Sequence, residues 1–442
     1  MKWRQVITVG FMLFAMYFGA GNLIFPPVVG FNAGDFFWPA IIGFVLTGVG
    51  LPLIGTATGA LSSGGYREAL KKINPVFSVV LLVVIYLTIG PFFAIPRTAT
   101  TAYELGVLPF LSENTGLALL ITSIIFFAAT LYLALNPDNL ANNIGNYLTP
   151  ILLATVTIVV VRVIFLATSY DGSSAINNFG DGGAFAYGFT EGYLTMDAIA
   201  AIAFAILVIN AIKGMGISDN HEIFKGTVKA SLIAALLLSL VYGSLAWIGN
   251  NVLISNDLPL DQNLGAAMLQ YLSSEALGSV GVILLGLVVL VACLTTSSGL
   301  ISACAEYFNS LLPNISYNTF AVIFTLISFV LANQGLDTII ETSVPVLSLI
   351  YPVAMSSVFL LLVSNYLPLP KIAFHLPLVL VFISSLLGLL YRQKFVSWSW
   401  ITSQPFFESE LEWLPILVIG FLVGYLVGKL VNQPTVSFSQ EH

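Results

Sequence analysis

The chain has 442 residues, of which 58% are hydrophobic and only 8% charged, with a mean hydropathy of +0.97. Soluble domains carry about 25% charged residues, so a water-soluble enzyme is excluded and a polytopic membrane protein is expected. The net charge of −7 and the lack of a long basic run exclude a nucleic-acid partner.

At roughly 20 residues per crossing, the chain offers about twelve spanning segments. They are 6–30, 36–60, 76–102, 116–135, 147–169, 183–213, 227–250, 279–308, 318–334, 338–363, 372–391 and 412–431. The first lacks a small-residue cleavage site and reads as retained, not as a secretory signal. Lys2, Arg4, Arg67, Lys71, Lys72, Lys213, Lys225, Lys229, Lys371 and Lys429 then fall on the side of the termini. Only Arg392 and Lys394 fall on the other, and this asymmetry places both termini in the cytoplasm. Arg97 falls near an outer helix end and reads as reaching the interface.

Segment 1 contains Gly19-Ala20-Gly21-Asn22-Leu23-Ile24-Phe25-Pro26-Pro27. Prolines lack the backbone N–H and glycines tolerate unwound geometry. In hydrocarbon, a broken helix persists only where its freed backbone groups face protein, water or a ligand. The segment is therefore expected to split. The N-terminus of its second half suits a carboxylate, and the carbonyl end of its first half suits Na⁺ or another hard cation. Asn22 adds a side-chain oxygen beside both. A purely structural Pro/Gly kink is the competing reading.

Segment 6 carries Phe189-Thr190-Glu191-Gly192-Tyr193-Leu194-Thr195-Met196-Asp197 ahead of a long apolar run. Interruptions at corresponding places in two five-helix halves point to an inverted-repeat transporter. The division is 1–170 for the first half, 171–366 for the second, 367–432 for two further helices and 433–442 for a polar cytoplasmic tail expected to be disordered. The break in segment 6 lies either at Phe189–Gly192 or at Thr195–Asp197. Glu191 at membrane depth reads as a partner of a substrate ammonium, as a proton carrier, or as an interfacial acid in water. Asp197 reads as the N-cap of the second half-helix or as a coupling group. The loop 251–278 reads either as a partial lid or as an ordinary capped loop helix.

Segment 8 contains Ala292-Cys293-Leu294-Thr295-Thr296-Ser297-Ser298. Adjacent hydroxyls joined to carbonyls of segment 1 make an oxygen cage for Na⁺. Back-bonding of the hydroxyls within their own helix is the alternative. Cys293 and Cys304 lie about 16 Å apart along this helix and cannot form a disulfide. His221, His375 and His442 stand at helix ends or in the tail, so no metal-assisted or nucleophilic enzyme site is expected.

The segment 1 motif, Gly90-Pro91-Phe92-Phe93-Ala94-Ile95-Pro96-Arg97-Thr98-Ala99-Thr100 and Glu191-Gly192-Tyr193-Leu194-Thr195-Met196-Asp197 together resemble the bacterial branched-chain amino acid:cation symporter family (LIVCS) over essentially the whole chain. The resemblance implies an all-α protein of about twelve transmembrane helices with the five-plus-five inverted repeat of the leucine-transporter fold. It also implies uptake of leucine, isoleucine and valine with Na⁺ or H⁺ across the cytoplasmic membrane, with no organic cofactor; a transporter of the same fold for another neutral amino acid is the competing reading. Gly19-x-Gly21-Asn22-x-x-x-Pro26 is similar to the first helix of neurotransmitter-type sodium symporters. That likeness implies substrate contacts at Gly19, Ala20, Gly21 and Asn22, with the carboxylate on the Ala20 and Gly21 N–H groups. It implies Na⁺ at the carbonyls of Ala15, Phe18 and Ala292 and the hydroxyls of Thr295 and Thr296. Phe189, Thr190, Glu191 and Gly192 then match the unwound sixth helix, and Phe189 and Leu300 would bound an apolar pocket.

Overall fold

A computed structural model describes residues 1–62, 64–111, 115–136, 183–251 and 263–436, with Phe179 and a few residues between 150 and 162. The expected fifth segment, 147–169, lies almost wholly outside these residues, as do 252–262 and 437–442. The described chain is built from helices, as apolar segments must be when no water is present to pair their backbone groups. Among the described residues, nine helical stretches are long and apolar enough to cross a membrane.

Segment 1 is split into α1 (Trp3–Tyr17) and α2 (Ala20–Ala33). The break falls at Phe18 (φ −72°, ψ 82°) and the extended Gly19 (φ −115°, ψ −157°). It lies ahead of Pro26 and Pro27, which are accommodated inside α2. A turn at Gly34–Phe36 leads into α3 (Phe37–Val45), a π-turn and α4 (Leu51–Gly59). The short amphipathic α5 (Gly65–Ile73) ends at Asn74, whose side chain accepts from the N–H groups of Val76 and Phe77 and so caps α6 (Pro75–Leu87). A second interruption follows at Thr88–Phe92, where Gly90 is non-helical before Pro91, and the chain resumes as α7 (Ala94–Gly106). After α8 (Gly116–Ala134), segment 6 is broken too. There α9 (Gly183–Glu191) tightens into a 3₁₀ turn at Gly192–Thr195, Met196 adopts a left-handed conformation (φ 65°), and α10 (Asp197–Gly214) begins. The break thus ends at Thr195–Asp197, and Phe189 and Thr190 stay helical.

The remaining helices are α11 (Asn220–Asn251), α12 (Leu264–Leu277), α13 (Ser279–Leu311), α14 (Tyr317–Ala332), α15 (Leu336–Tyr366), α16 (Ile372–Arg392), α17 (Ser399–Thr402) and α18 (Trp413–Leu430). The interrupted helices sit at the centre, with α1 and α2 against α11, α7 against α13, and α4 against α10. Small residues allow this closeness, as membrane helices without a hydrophobic drive between them require. A Cβ on Gly30 would fall 1.8 Å from the carbonyl oxygen of Ala246, and one on Gly249 would fall 2.0 Å from that of Pro27. The α2–α11 seam is therefore backbone against backbone.

Helix α12 packs on α2 and α7, and Gln270 donates to the Glu104 carbonyl at 2.6 Å. Its N-terminus is capped by Asn263, which accepts from the Gly265 N–H at 3.1 Å. At the C-terminus α16 packs on α18, and Leu369–Pro370 pairs antiparallel with Thr435–Val436. That short ladder orders the start of a tail expected to be free. Cys293 and Cys304 are both reduced and buried.

Candidate functional site

The breaks in α1/α2 and α9/α10 and the bend between α6 and α7 open on one small cavity of about 20 Å³. Met16, Tyr17, Gly19, Ala20 and Asn22 line it from segment 1. Segment 3 contributes Ile89, Ala94, Arg97 and Thr98, and segment 6 contributes Thr195, Met196, Asp197, Ala200 and Phe204. Thr296 and Leu300 close it from α13. Ligand pockets usually hold several hundred Å³, so these elements must part to admit an amino acid.

On one side the end of α1 meets α13. Thr295 Oγ1 donates within 2.8 Å of both the Ala15 and Ala292 carbonyls. Thr296 Oγ1 lies 2.9 Å from the Met16 carbonyl and 3.4 Å from that of Ala15. Hydroxyls that reach another helix are doing more than back-bonding within their own. Gly19 is what permits the approach: a Cβ there would fall 2.8 Å from Thr296 Oγ1. Phe18 ends α1, its N–H donating to the Phe14 carbonyl at 2.8 Å. Ala15, Met16, Ala292, Thr295 and Thr296 therefore meet in one oxygen-rich junction, the composition that suits a hard monovalent cation, and Phe18 follows Met16 at the end of α1.

Opposite this junction lies a buried polar network. Asn22 Oδ1 accepts from the Gly19 N–H at 3.0 Å, and Asn22 Nδ2 donates to Asp197 Oδ2 at 2.5 Å and to the Tyr242 hydroxyl. Tyr242, from α11, donates to the same Asp197 oxygen at 2.9 Å. Asp197 is 3% exposed and forms no ion pair among the described residues. Its carboxylate is turned into this network and does not cap α10, so the N-cap reading is corrected.

Arg97 is likewise 3% exposed and does not reach an interface. Its Nη1 donates to the Leu194 carbonyl at 2.6 Å and its Nη2 to the Thr195 carbonyl at 3.3 Å. The guanidinium thus holds the 3₁₀ turn that precedes Met196. Buried polar groups of this kind are expected to be fully bonded, yet Arg97 Nε has no partner among the described residues.

Of the residues singled out in the sequence, Gly19, Ala20, Asn22, Thr296 and Leu300 line the cavity, and Gly21 lies behind it against Arg97. Phe189, Thr190, Glu191 and Gly192 do not line it. Thr190 Oγ1 bonds back to the carbonyls of Ala186 and Tyr187 at 3.0 Å. Phe189 packs its ring on Phe185 and Tyr193, and its carbonyl accepts from Thr47 at 2.8 Å. Gly192 lies against Thr47, and Glu191 is the last residue of α9. Arg97, Met196, Phe204 and Tyr242 were not placed at the site by sequence reasoning. The Gly90-Pro91 pair was the available signal for Arg97, since the bend it makes turns α7 towards the cavity.

Residues 2–431 match the model of a family described as branched-chain amino acid transport protein. A Staphylococcus aureus (strain USA300) protein, provisionally named a branched-chain amino acid carrier, is 46% identical over 449 residues, covering 99% of this chain and all of the relative. A Staphylococcus saprophyticus protein of the same provisional name is 46% identical over 436 residues, covering 97% of this chain and 98% of its own. Among solved structures, Mhp1, a nucleobase-cation-symport-1 family transporter with bromovinylhydantoin bound, superposes with a TM-score of 0.58 at 14% identity over 99% of this chain and 96% of its own. MhsT in complex with L-phenylalanine gives 0.55 at 14% identity, over 95% and 98% of the two chains. A manganese transporter of Eremococcus coleocola gives 0.61 at 15% identity, over 96% and 95%. At such identities the structural likeness speaks for the fold, that of the leucine-transporter type.

Proposed function

Because the chain belongs to the branched-chain amino acid transport protein family and is a membrane transporter rather than an enzyme, we propose that it is a secondary active symporter importing leucine, isoleucine and valine together with Na⁺. The observation that carries this reading is the meeting of the Ala15 and Met16 carbonyls with Thr295 and Thr296 beside the N-terminus of α2, with Met16, Gly19, Ala20 and Thr296 lining one cavity. Carbonyls and hydroxyls of this kind suit Na⁺, and the N–H groups of a helix start suit a carboxylate.

In the proposed cycle, Na⁺ binds at Ala15, Phe18, Ala292, Thr295 and Thr296 and ties the end of α1 to α13. The amino acid then places its carboxylate on the Ala20 and Gly21 N–H groups, its ammonium towards Asp197 and its branched side chain among Met16, Ile89, Phe204 and Leu300. Rocking of the two repeats, 1–170 and 171–366, around this fixed site moves access from one face to the other. An apolar pocket separates side chains differing by one methylene by only ~1–3 kcal/mol, which supports broad selectivity among the three. The charge asymmetry supports a bacterial plasma-membrane protein with cytoplasmic termini.

Coupling to H⁺ is the second reading, favoured by one observation: Asp197 is buried, accepts two hydrogen bonds and forms no ion pair among the described residues, with Arg97 the cation that acts on it from the same cavity. Radiolabelled leucine uptake into proteoliposomes, with the Na⁺ and pH gradients imposed separately, decides between them. Uptake driven by Na⁺ alone supports the α1–α13 site. Uptake driven only by protons moves coupling to Asp197, and no uptake by folded protein rejects the substrate.

A further inference from the structure

Resting on the transport reading above, we infer that Arg97 is a specificity-determining residue that binds the carboxylate of the substrate. Arg97 lines the cavity and is almost fully buried. A guanidinium stays charged in any protein environment, and a buried charge is costly unless it is paired. Its neighbours only partly meet that need. Two carbonyl oxygens, of Leu194 and Thr195, accept from its Nη atoms, and the Phe25 ring lies 5.5 Å from its central carbon. Among the described residues its Nε has no partner and no carboxylate forms an ion pair with it; Asp197, bonded to Asn22 and Tyr242, is the anion that acts on it from the same cavity.

The second contact of the guanidinium raises the positive potential further. A Cβ on Gly21 would fall 2.8 Å from Arg97 Nη2, so the charge rests on the first turn of α2. That turn is itself the positive end of a helix. Asp197 supplies part of the compensating charge from the same cavity, and the unpartnered Nε leaves a donor for a second anion where the guanidinium and the helix end meet. An anion there meets unused N–H groups from both, in the forked arrangement that arginine offers a carboxylate. Glycine at position 21 is then needed for the approach of the guanidinium as well as for backbone exposure. Asp197, on the same cavity, gives the opposite charge that a zwitterion needs.

Full-length protein in detergent tests this by thermal-shift titration with leucine and with leucinamide. Leucinamide keeps the side chain and ammonium and lacks the carboxylate charge. Wild type is expected to prefer leucine strongly. R97Q is expected to lower leucine affinity about 100-fold, as loss of one member of a buried charge pair does, and to leave leucinamide affinity unchanged, so that the preference collapses. R97K keeps the charge without the fork and should give an intermediate preference, which serves if R97Q fails to fold. An unaltered preference in either folded variant overturns the assignment. So does an equal loss of both ligands, which would make Arg97 only a support for the Gly192–Thr195 turn. Wild-type protein that binds none of leucine, isoleucine and valine overturns the transport reading itself, and the Arg97 assignment with it.

Discussion

Asn22 and Asp197, 175 positions apart in the sequence, meet as donor and acceptor at 2.5 Å. Each stands in the first turn of a helix that resumes after a break, Asn22 in α2 and Asp197 in α10. Tyr242 joins them from α11. The two interrupted segments are therefore tied through a single carboxylate, beside helix ends whose partial positive charge favours an anion. A substrate or ion that changes the charge of this carboxylate acts on both breaks at once.

The charge of Asp197 is the first thing to test. Asp197→Asn keeps the shape and one acceptor oxygen while removing the charge. Leucine uptake should fall about 100-fold if that charge meets the ammonium or carries the coupling proton. Tyr242→Phe removes two hydrogen bonds, to Asn22 and to Asp197, each worth ~0.5–1.5 kcal/mol net, and should reduce uptake about tenfold. Initial rates at matched protein density in proteoliposomes give both values. Near wild-type transport by Asp197→Asn would leave the carboxylate with a structural role alone.

Thr296 should separate ion from substrate. Its hydroxyl meets the Met16 carbonyl at 2.9 Å, while its neighbour Thr295 meets that of Ala15. Thr296→Ala should raise the Na⁺ concentration giving half-maximal uptake about tenfold, equivalent to ~1.4 kcal/mol, and should leave the order of competition among leucine, isoleucine and valine unchanged. Thr296→Ser, which keeps the oxygen, should respond much less. A titration of Na⁺ at fixed leucine reads the effect, and a changed substrate order with an unchanged Na⁺ response would count against the ion site.

Much of this was legible because it is local. Gly19 to Asn22, and the run of four hydroxyls from Thr295, announce unusual backbone and polarity within apolar segments, and Gly19, Ala20, Asn22 and Thr296 meet at one cavity. What was not legible depends on distance or on backbone detail. Pro26 and Pro27 suggest a break at themselves, yet α2 carries them and unwinds earlier, at Gly19. Asp197 reads as a helix cap in sequence, and only Asn22 and Tyr242, from two other helices, give its carboxylate another use. Arg97 reads as an interfacial side chain until the bend at Gly90 is known. Of the stretch matched to an unwound helix, Phe189 and Thr190 stay helical, with Thr190 bonding back to its own helix, and the turn tightens from Gly192 onward.

Arg392 anchors the C-terminal helices and its loss should be felt in stability. It donates to both carboxylate oxygens of the nearly buried Glu412 at 3.1–3.2 Å and to the Phe407 carbonyl at 2.9 Å. Arg392→Gln leaves the Glu412 charge without its partner. The arginine is partly exposed, so the expected destabilisation is below the full buried-pair cost, at ~1–3 kcal/mol. Adding Glu412→Gln removes the stranded charge and should restore part of the loss. Thermal unfolding of the three variants in detergent measures this, and a double variant no better than Arg392→Gln would show that the carboxylate is not what suffers.

The α2–α11 seam offers a test of fold separate from the chemistry. A Cβ on Gly30 would fall 1.8 Å from the Ala246 carbonyl oxygen and 2.6 Å from its carbon, and neither is a flexible side-chain end that can turn away. Gly30→Ala must therefore push the helices apart, at a cost of at least ~1–3 kcal/mol for an overpacked contact. Gly243, on the same helix α11, has nothing within 4 Å of the equivalent position. Gly243→Ala should be neutral or stabilising by up to ~1 kcal/mol through helix propensity alone. The pair changes the same atom count in two helices of one seam, so a melting temperature lowered by Gly30→Ala and not by Gly243→Ala assigns the loss to the close approach. Because α2 carries Ala20, Gly21 and Asn22 at its other end, Gly30→Ala should also weaken leucine binding. Equal melting temperatures for both variants would mean that the helices are not held at this spacing in the folded protein.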